Sequence, residues 1–287
     1  MSEESDLQRI YTPGSESVYG EDIINMIAYM NGFTGLEHFL NIGYADSILE
    51  YFLFPLGISS KRLPKRLSLP LVGKAAGLDN ILVVGCGRGG EAVVLHQETG
   101  LKIIGLDITP FNVKSSGEYA LGLGLKESVA FILGDACCLP LGDKSVSCVF
   151  SCESAFHFED KDRFIRESFR VLKDGGYLLI ADIVSALPHV EPSAENEEAL
   201  GEFARMLAAP EFFTLEKYRK AIVSAGFRRI IDEEVITRHN LRFLARGSTY
   251  LISLMNYIRK LHWLDAAVKR SMKKRNIDLD KFLEHSR

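Results

Sequence analysis

The stretch ILVVGCGRGG, Ile81 to Gly90, is read together with LKIIGLDIT, Leu101 to Thr109, which follows it. A short apolar run ends in glycines and gives way to a helical pattern, so a buried strand turns sharply into a helix. The second apolar run carries Asp107 near its end, 22 residues after Gly85. Glycines let a backbone approach a ligand and open a helix N-terminus, and a carboxylate on the next strand accepts hydrogen bonds from a ribose diol. The pair suits a nucleotide-like ligand. Spacing alone leaves two ligand classes open. The dinucleotide fingerprint G-x-G-x-x-G needs Gly90 as its third glycine, whereas Gly85, Gly87 and Gly89 form a tighter G-x-G-x-G that suits a ligand without a pyrophosphate.

Downstream, VAFILGDACCLP places Asp135 just past a strand-like run, and another strand falls within SVSCVFSCESAFHF, Ser145 to Phe158. A helix follows, with Phe164, Ile165, Phe169, Val171 and Leu172 near a 3.6-residue period and Asp162, Arg163, Arg166 and Glu167 on the other side. Its end is expected at Lys173-Asp-Gly175-Gly176, before the apolar run YLLIADIV. Strand–helix alternation with runs buried on both faces argues a parallel sheet covered by helices.

Taken in order, these motifs resemble the class I S-adenosylmethionine (SAM)-dependent methyltransferases. The resemblance covers Asn80 to Ile231 and rests on VVGCGRGG, GLDIT, GDACCLP, SCESAFHF, RVLKDGGYLLIADI and the AGF at Ala225 to Phe227. It implies an α/β fold, a doubly wound, mostly parallel seven-stranded Rossmann-like sheet with an N-terminal helical segment and a helical substrate lid. SAM is the cofactor it implies, lying across the carboxyl ends of the first strands. Gly85, Cys86, Gly87 and Gly89 then belong to the loop under the methionine part. Asp107 holds the ribose hydroxyls, Ile108 lies against the adenine, and Asp135 and Ala136 meet its edge. Ser151 falls near the sulfonium, and Tyr44, in a Gly-Tyr pair, caps the cofactor. One position departs from the family pattern. Many relatives carry an acid two residues before the first glycine, and here that residue is Val83. The amino group of SAM then needs another acceptor, with the Gly85 and Ser151 carbonyls as candidates.

Three of these residues also have a plainer reading. Asp107 reads as a solvated strand end, Asp135 as a turn aspartate and Tyr44 as a core aromatic. The chain of 287 residues can bury a full core. It divides into an N-terminal helical cap and connector over 1–70, a cofactor-binding core over 71–240 and a basic helical extension over 241–287. The substrate lid is placed at about 186–212. SSKRLPKRLSLP, with its prolines, reads as a surface connector.

The net charge of −4 is mild and does not predict a nucleic-acid partner. Leu241 to Arg287 nevertheless holds eleven Lys and Arg against four Asp and Glu. Its run Lys269-Arg270-Ser-Met-Lys273-Lys274-Arg275 reads as a solvated helix face, with peripheral contact to a membrane surface or to RNA as the alternative. The opening MSEESDLQRI is acidic and polar, and five cysteines give no paired framework, so a cytoplasmic setting is expected. No metal is expected, because Cys137, Cys138, Cys148 and Cys152 lack C-x-x-C spacing and read as core thiols.

Methyl transfer from a sulfonium is a displacement at carbon, so a hydroxyl acceptor needs alignment and removal of its proton. Catalytic residues are sought beyond the fourth and fifth strands, where His157 and Asp182 fall. Natural-product sugar O-methyltransferases carry a similar Glu-Ser-x-His-His segment and a later Ile-Ala-Asp strand end. This chain keeps Glu153, Ser154, His157 and Asp182 but has Phe156 in place of the first histidine, which leaves a His157–Asp182 dyad. A Glu-x-x-x-His pattern also occurs in sterol and isoprenoid carbon methyltransferases, where the Glu helps stabilise a carbocation. The expectation is transfer to a small, largely apolar acceptor at oxygen, with His157 as general base. The alternatives are carbon or nitrogen transfer on the same fold, an RNA acceptor using the basic C-terminus, and a catalytically inactive SAM-binding regulatory subunit. The oligomeric state is left open.

Overall fold

The computed structural model describes residues 38, 58–72, 77–185, 201, 204 and 209–231. Helix α1 spans Ile58–Val72, β1 Asn80–Val84, α2 Gly90–Thr99, β2 Lys102–Asp107, α3 Pro110–Gly122 and β3 Val129–Leu133. Then come β4 Val146–Cys152, a 3₁₀ turn Ala155–His157, α4 Lys161–Val171, β5 Leu172–Ala181 and α5 Leu215–Ser224. Every pairing is parallel, in the order β3-β2-β1-β4-β5. The chain leaves β1 toward β2 and β3, then returns to the other side of β1 as β4. In such open sheets a ligand crevice forms beyond the carboxyl ends, at that reversal.

Side-chain alternation along β1 explains the two helical layers. Ile81 and Val83 point into a core shared with Leu63 of α1, Leu95 of α2 and Ala120 of α3. Leu82 and Val84 point the other way, into a core with Phe164 and Ile165 of α4 and Tyr218 and Ala221 of α5. Each face needs its own cover because the central strand is apolar on both.

The fold is therefore Rossmann-like α/β, with five parallel strands among the described residues rather than the seven expected. Residues 227–231 are not in a strand, and the rest of the segment expected to close the sheet lies outside the described residues. So do most of the expected lid, the N-terminal cap apart from His38, and the whole basic extension. Among the described residues no helix is long and apolar enough to cross a membrane.

Two local expectations are corrected. The proline-bearing connector is helix α1, because Leu63 and Ser68 are buried and packing overrides the local cost of Pro64. The helix expected to run to the glycines ends at Val171, since Leu172 is already extended (φ −71, ψ 133) and pairs with Val146. Lys173 to Gly176 instead loop out of β5 opposite Ser147, with Gly175 at φ +78.

Candidate active site

A cavity of about 330 Å³ opens at the carboxyl ends of β1, β2 and β4, within the size range of small-ligand pockets, roughly 300–1,000 Å³. Its floor is the glycine turn. Gly85 and Cys86 donate their N–H groups to the Leu106 carbonyl at 2.8 and 3.0 Å, which hooks the turn onto the end of β2. Gly85 has φ +68, and a Cβ there would stand 2.5 Å from the Ser154 Cβ. A side chain would collide, so the close approach requires glycine.

Asp107 lies at the tip of β2, 7% exposed. Its Oδ2 accepts from Gly87 N–H at 2.9 Å, and its Oδ1 accepts from Thr109 N–H at 2.9 Å and Asn112 Nδ2 at 3.2 Å. Burial holds its pKa above the ordinary carboxylate value, a rise that these donors offset only in part. Gly134 N–H donates to the Asp107 carbonyl at 3.0 Å, which brings Asp135 alongside, and Asp135 Oδ1 accepts from Cys137 N–H at 2.8 Å.

On the opposite side the chain leaves β4 through Glu153, whose φ of +48 is rare for a residue with a side chain. Glu153 N–H donates to the Ala181 carbonyl at 2.7 Å. The 3₁₀ turn then presents His157, 8% exposed, its ring 4.1 Å from that of Phe156. Two opposite charges pin this turn from behind. Asp182 Oδ1 accepts from Phe156 N–H at 2.9 Å, and buried Lys161 Nζ donates to the carbonyls of Phe156 and Phe158, each at 3.2 Å. The second Asp182 oxygen accepts from Tyr218 Oη. Burial drives the Asp182 pKa up to about 6, lowers that of Lys161 and raises that of Tyr218.

Of the residues singled out in the sequence, Gly85, Cys86, Gly87, Asp107, Ile108, Asp135, Ala136, Glu153 and His157 line this one cavity. Three do not. Gly89 opens α2 and abuts Ser116, Ser151 is fully buried with its Oγ 2.8 Å from Ser154 Oγ, and Asp182 sits behind the turn. Tyr44 lies outside the described residues.

The sequence reading missed several residues. Glu91, in the first turn of α2, is 6% exposed and lines the cavity, although in sequence it is an ordinary first-turn acid. His38 also lines the cavity; its ring stacks on Tyr119 at 3.7 Å, and its carbonyl accepts from Gly90 N–H. No local pattern points to His38. The Thr109 contact was legible, because an aspartate commonly accepts from the N–H two residues on.

Among the described residues the wall is strongly acidic, with Glu91, Asp107, Asp135, Glu153, Glu159 and Asp160 against the guanidinium of Arg163. Among the described residues no cluster of three His, Cys, Asp or Glu could hold a metal. Of the cysteines, only Cys138 is exposed, and all five are free thiols.

Residues 82–180 match the family model described as a methyltransferase domain. The chain carries a methyltransferase domain of the class I SAM-dependent kind. Among curated relatives of this methyltransferase, the erythromycin 3''-O-methyltransferase of Saccharopolyspora erythraea is 32% identical over 57% of the chain and 55% of its own length. The sterol 24-C-methyltransferase of Eremothecium gossypii is 26% identical over 54% of the chain and 42% of its own length. The chain thus spans about half the length of these curated relatives. Among solved structures, a geranyl diphosphate C-methyltransferase from Streptomyces coelicolor, in complex with magnesium, geranyl diphosphate and S-adenosyl-L-homocysteine, superposes with a TM-score of 0.61. It covers 83% of this chain and 89% of that one at 18% identity, a likeness of fold.

Proposed function

We propose that this methyltransferase binds SAM in the cavity and transfers its methyl group to oxygen on a small, largely apolar acceptor. The observation that carries the reading is the acidic wall. SAM brings a sulfonium and an ammonium against one carboxylate, a net cation that six acids attract, whereas the pyrophosphate of a dinucleotide would be repelled. The donor set fits SAM, with a glycine floor that admits close main-chain contact and a buried carboxylate at the ribose position.

SAM supplies a methyl group on a sulfonium, itself a good leaving group. Gly85 to Gly87 cradle the methionine end, Asp107 accepts from the ribose hydroxyls, and Ile108, Asp135 and Ala136 bound the adenine. His157 accepts the proton of the acceptor hydroxyl, a role suited to imidazole near neutral pH. Asp182 acts through the turn, as a positioning residue rather than a direct dyad partner. The oxygen-methylating relative supports this choice of atom.

A carbon acceptor is the second reading. It is favoured by the positive-φ Glu153 on the cavity wall and by the carbon-methylating sterol relative.

Methyl-labelled SAM, offered with a panel of hydroxylated and olefinic small molecules, tests both readings. The first expects O-methyl product, and for His157→Ala a turnover lowered about a hundredfold or more with near-wild-type SAM affinity. Full activity in that variant removes His157 as base. Product methylated at carbon favours the second reading.

A further inference from the structure

We propose that Arg170, in the last turn of α4 and outside the cavity lining, is a positioning residue for Asp135, acting through the loop between β3 and β4. The inference rests on the SAM-binding reading above, in which Asp135 and Ala136 bound the adenine.

A helix is the usual crossover in a parallel sheet, because its backbone satisfies itself. Residues 134–145 instead carry the chain from β3 to β4 with no helix. Gly134 to Cys137 line the cavity, and Cys138 N–H closes a tight turn onto the Asp135 carbonyl at 3.1 Å. The stretch beyond is held from α4. Arg170 donates from Nη2 to the Leu139 carbonyl at 3.0 Å and from Nη1 to the Leu141 carbonyl at 2.8 Å. Its Nη1 also donates to Asp143 Oδ1 at 2.7 Å. Glu167, one turn earlier, accepts from Arg170 Nε and Nη2, each at 2.8 Å, and its Oε2 also accepts from Leu139 N–H at 2.9 Å.

Leu139 is therefore held through both of its main-chain polar groups. The next residue, Pro140, passes that placement to the cavity. A Cβ built on Gly134 would stand 3.1 Å from Pro140 Cδ, so the clamped stretch packs against the residue that precedes Asp135. An exposed ion pair would contribute little. Here the guanidinium side chain is only 33% exposed, and its planar fork fixes two backbone carbonyls and two carboxylates together. Lysine keeps the charge but presents one nitrogen, which cannot reproduce the fork.

The test is a double-mutant cycle on the full chain, with S-adenosylhomocysteine affinity read by calorimetry in Arg170→Lys, Asp135→Asn and the double variant. D135N should bind about tenfold more weakly, as for a lost charged hydrogen bond. R170K should lose about fivefold or more, and the double variant should bind within about twofold of D135N alone, because both losses pass through one carboxylate. A structural role without this linkage gives additive losses, and these overturn the inference. So does wild-type affinity in either single variant. A wild-type chain that does not bind S-adenosylhomocysteine overturns the cofactor reading, and this inference with it. Should R170K fail to fold, Glu167→Gln weakens the same clamp, and its cycle with D135N is judged by the same outcomes.

Discussion

Asp107 holds the N–H groups of Gly87 and Thr109 and the amide of Asn112 on one carboxylate, and in doing so ties the glycine turn to the start of α3. On the proposed reading, removing it strips the ligand of its ribose acceptor, and it leaves buried donors unsatisfied. Asp107→Ala should abolish SAM binding in calorimetry and cost roughly 1–3 kcal/mol of stability in urea unfolding. Unchanged affinity would remove Asp107 from the site. Asp107 was legible because its evidence is local, a carboxylate at a strand tip at a set distance from glycines. Glu91 and Lys161 were not, because charged residues read as solvated faces and only tertiary packing buries them.

On the proposed mechanism, the element that matters most for chemistry is the 3₁₀ turn carrying His157. Phe156 gives its N–H to Asp182, and its carbonyl accepts from Lys161, so the turn is held through both main-chain polar groups of one residue. Lys161→Met keeps the packing and removes the donor. Turnover should fall about tenfold or more with little change in SAM affinity, because the turn loses its register while the glycine floor is untouched. Wild-type turnover in this variant would show that the clamp does not position His157.

The same clamp has a pH signature. Burial raises the Asp182 pKa to about 6, so between pH about 4 and 6 the folded chain holds a proton that the unfolded chain has lost. The stabilising contribution of this group is complete below pH about 4 and is lost as pH rises through 6. Wild-type stability relative to Asp182→Asn should accordingly decline across that window in urea midpoints, and a flat difference would contradict the assignment. The sequence placed Asp182 at a strand end beside His157, since strand order and periodicity are local signals. It could not show that the carboxylate serves Phe156 and Tyr218, contacts 26 and 36 residues away. For the same reason α1 was read as a connector: its helix depends on burying Leu63 against the sheet, which proline content alone conceals.

At the scale of the molecule, two apolar layers on a parallel sheet put the reversal of strand order beneath one cavity. The alternating runs made that architecture readable. On the proposed reading, the choice that the glycine pattern left open, dinucleotide or sulfonium nucleoside, turns on the charge that the described residues place on the cavity wall. That sum draws acids from β2, α2 and the loops after β3 and β4, and no single motif contains it. The most direct test is calorimetric titration of the full chain with SAM and, separately, with NAD. One saturable SAM site and no NAD binding is the expected result. NAD binding in preference to SAM, or no SAM binding at all, would contradict the account.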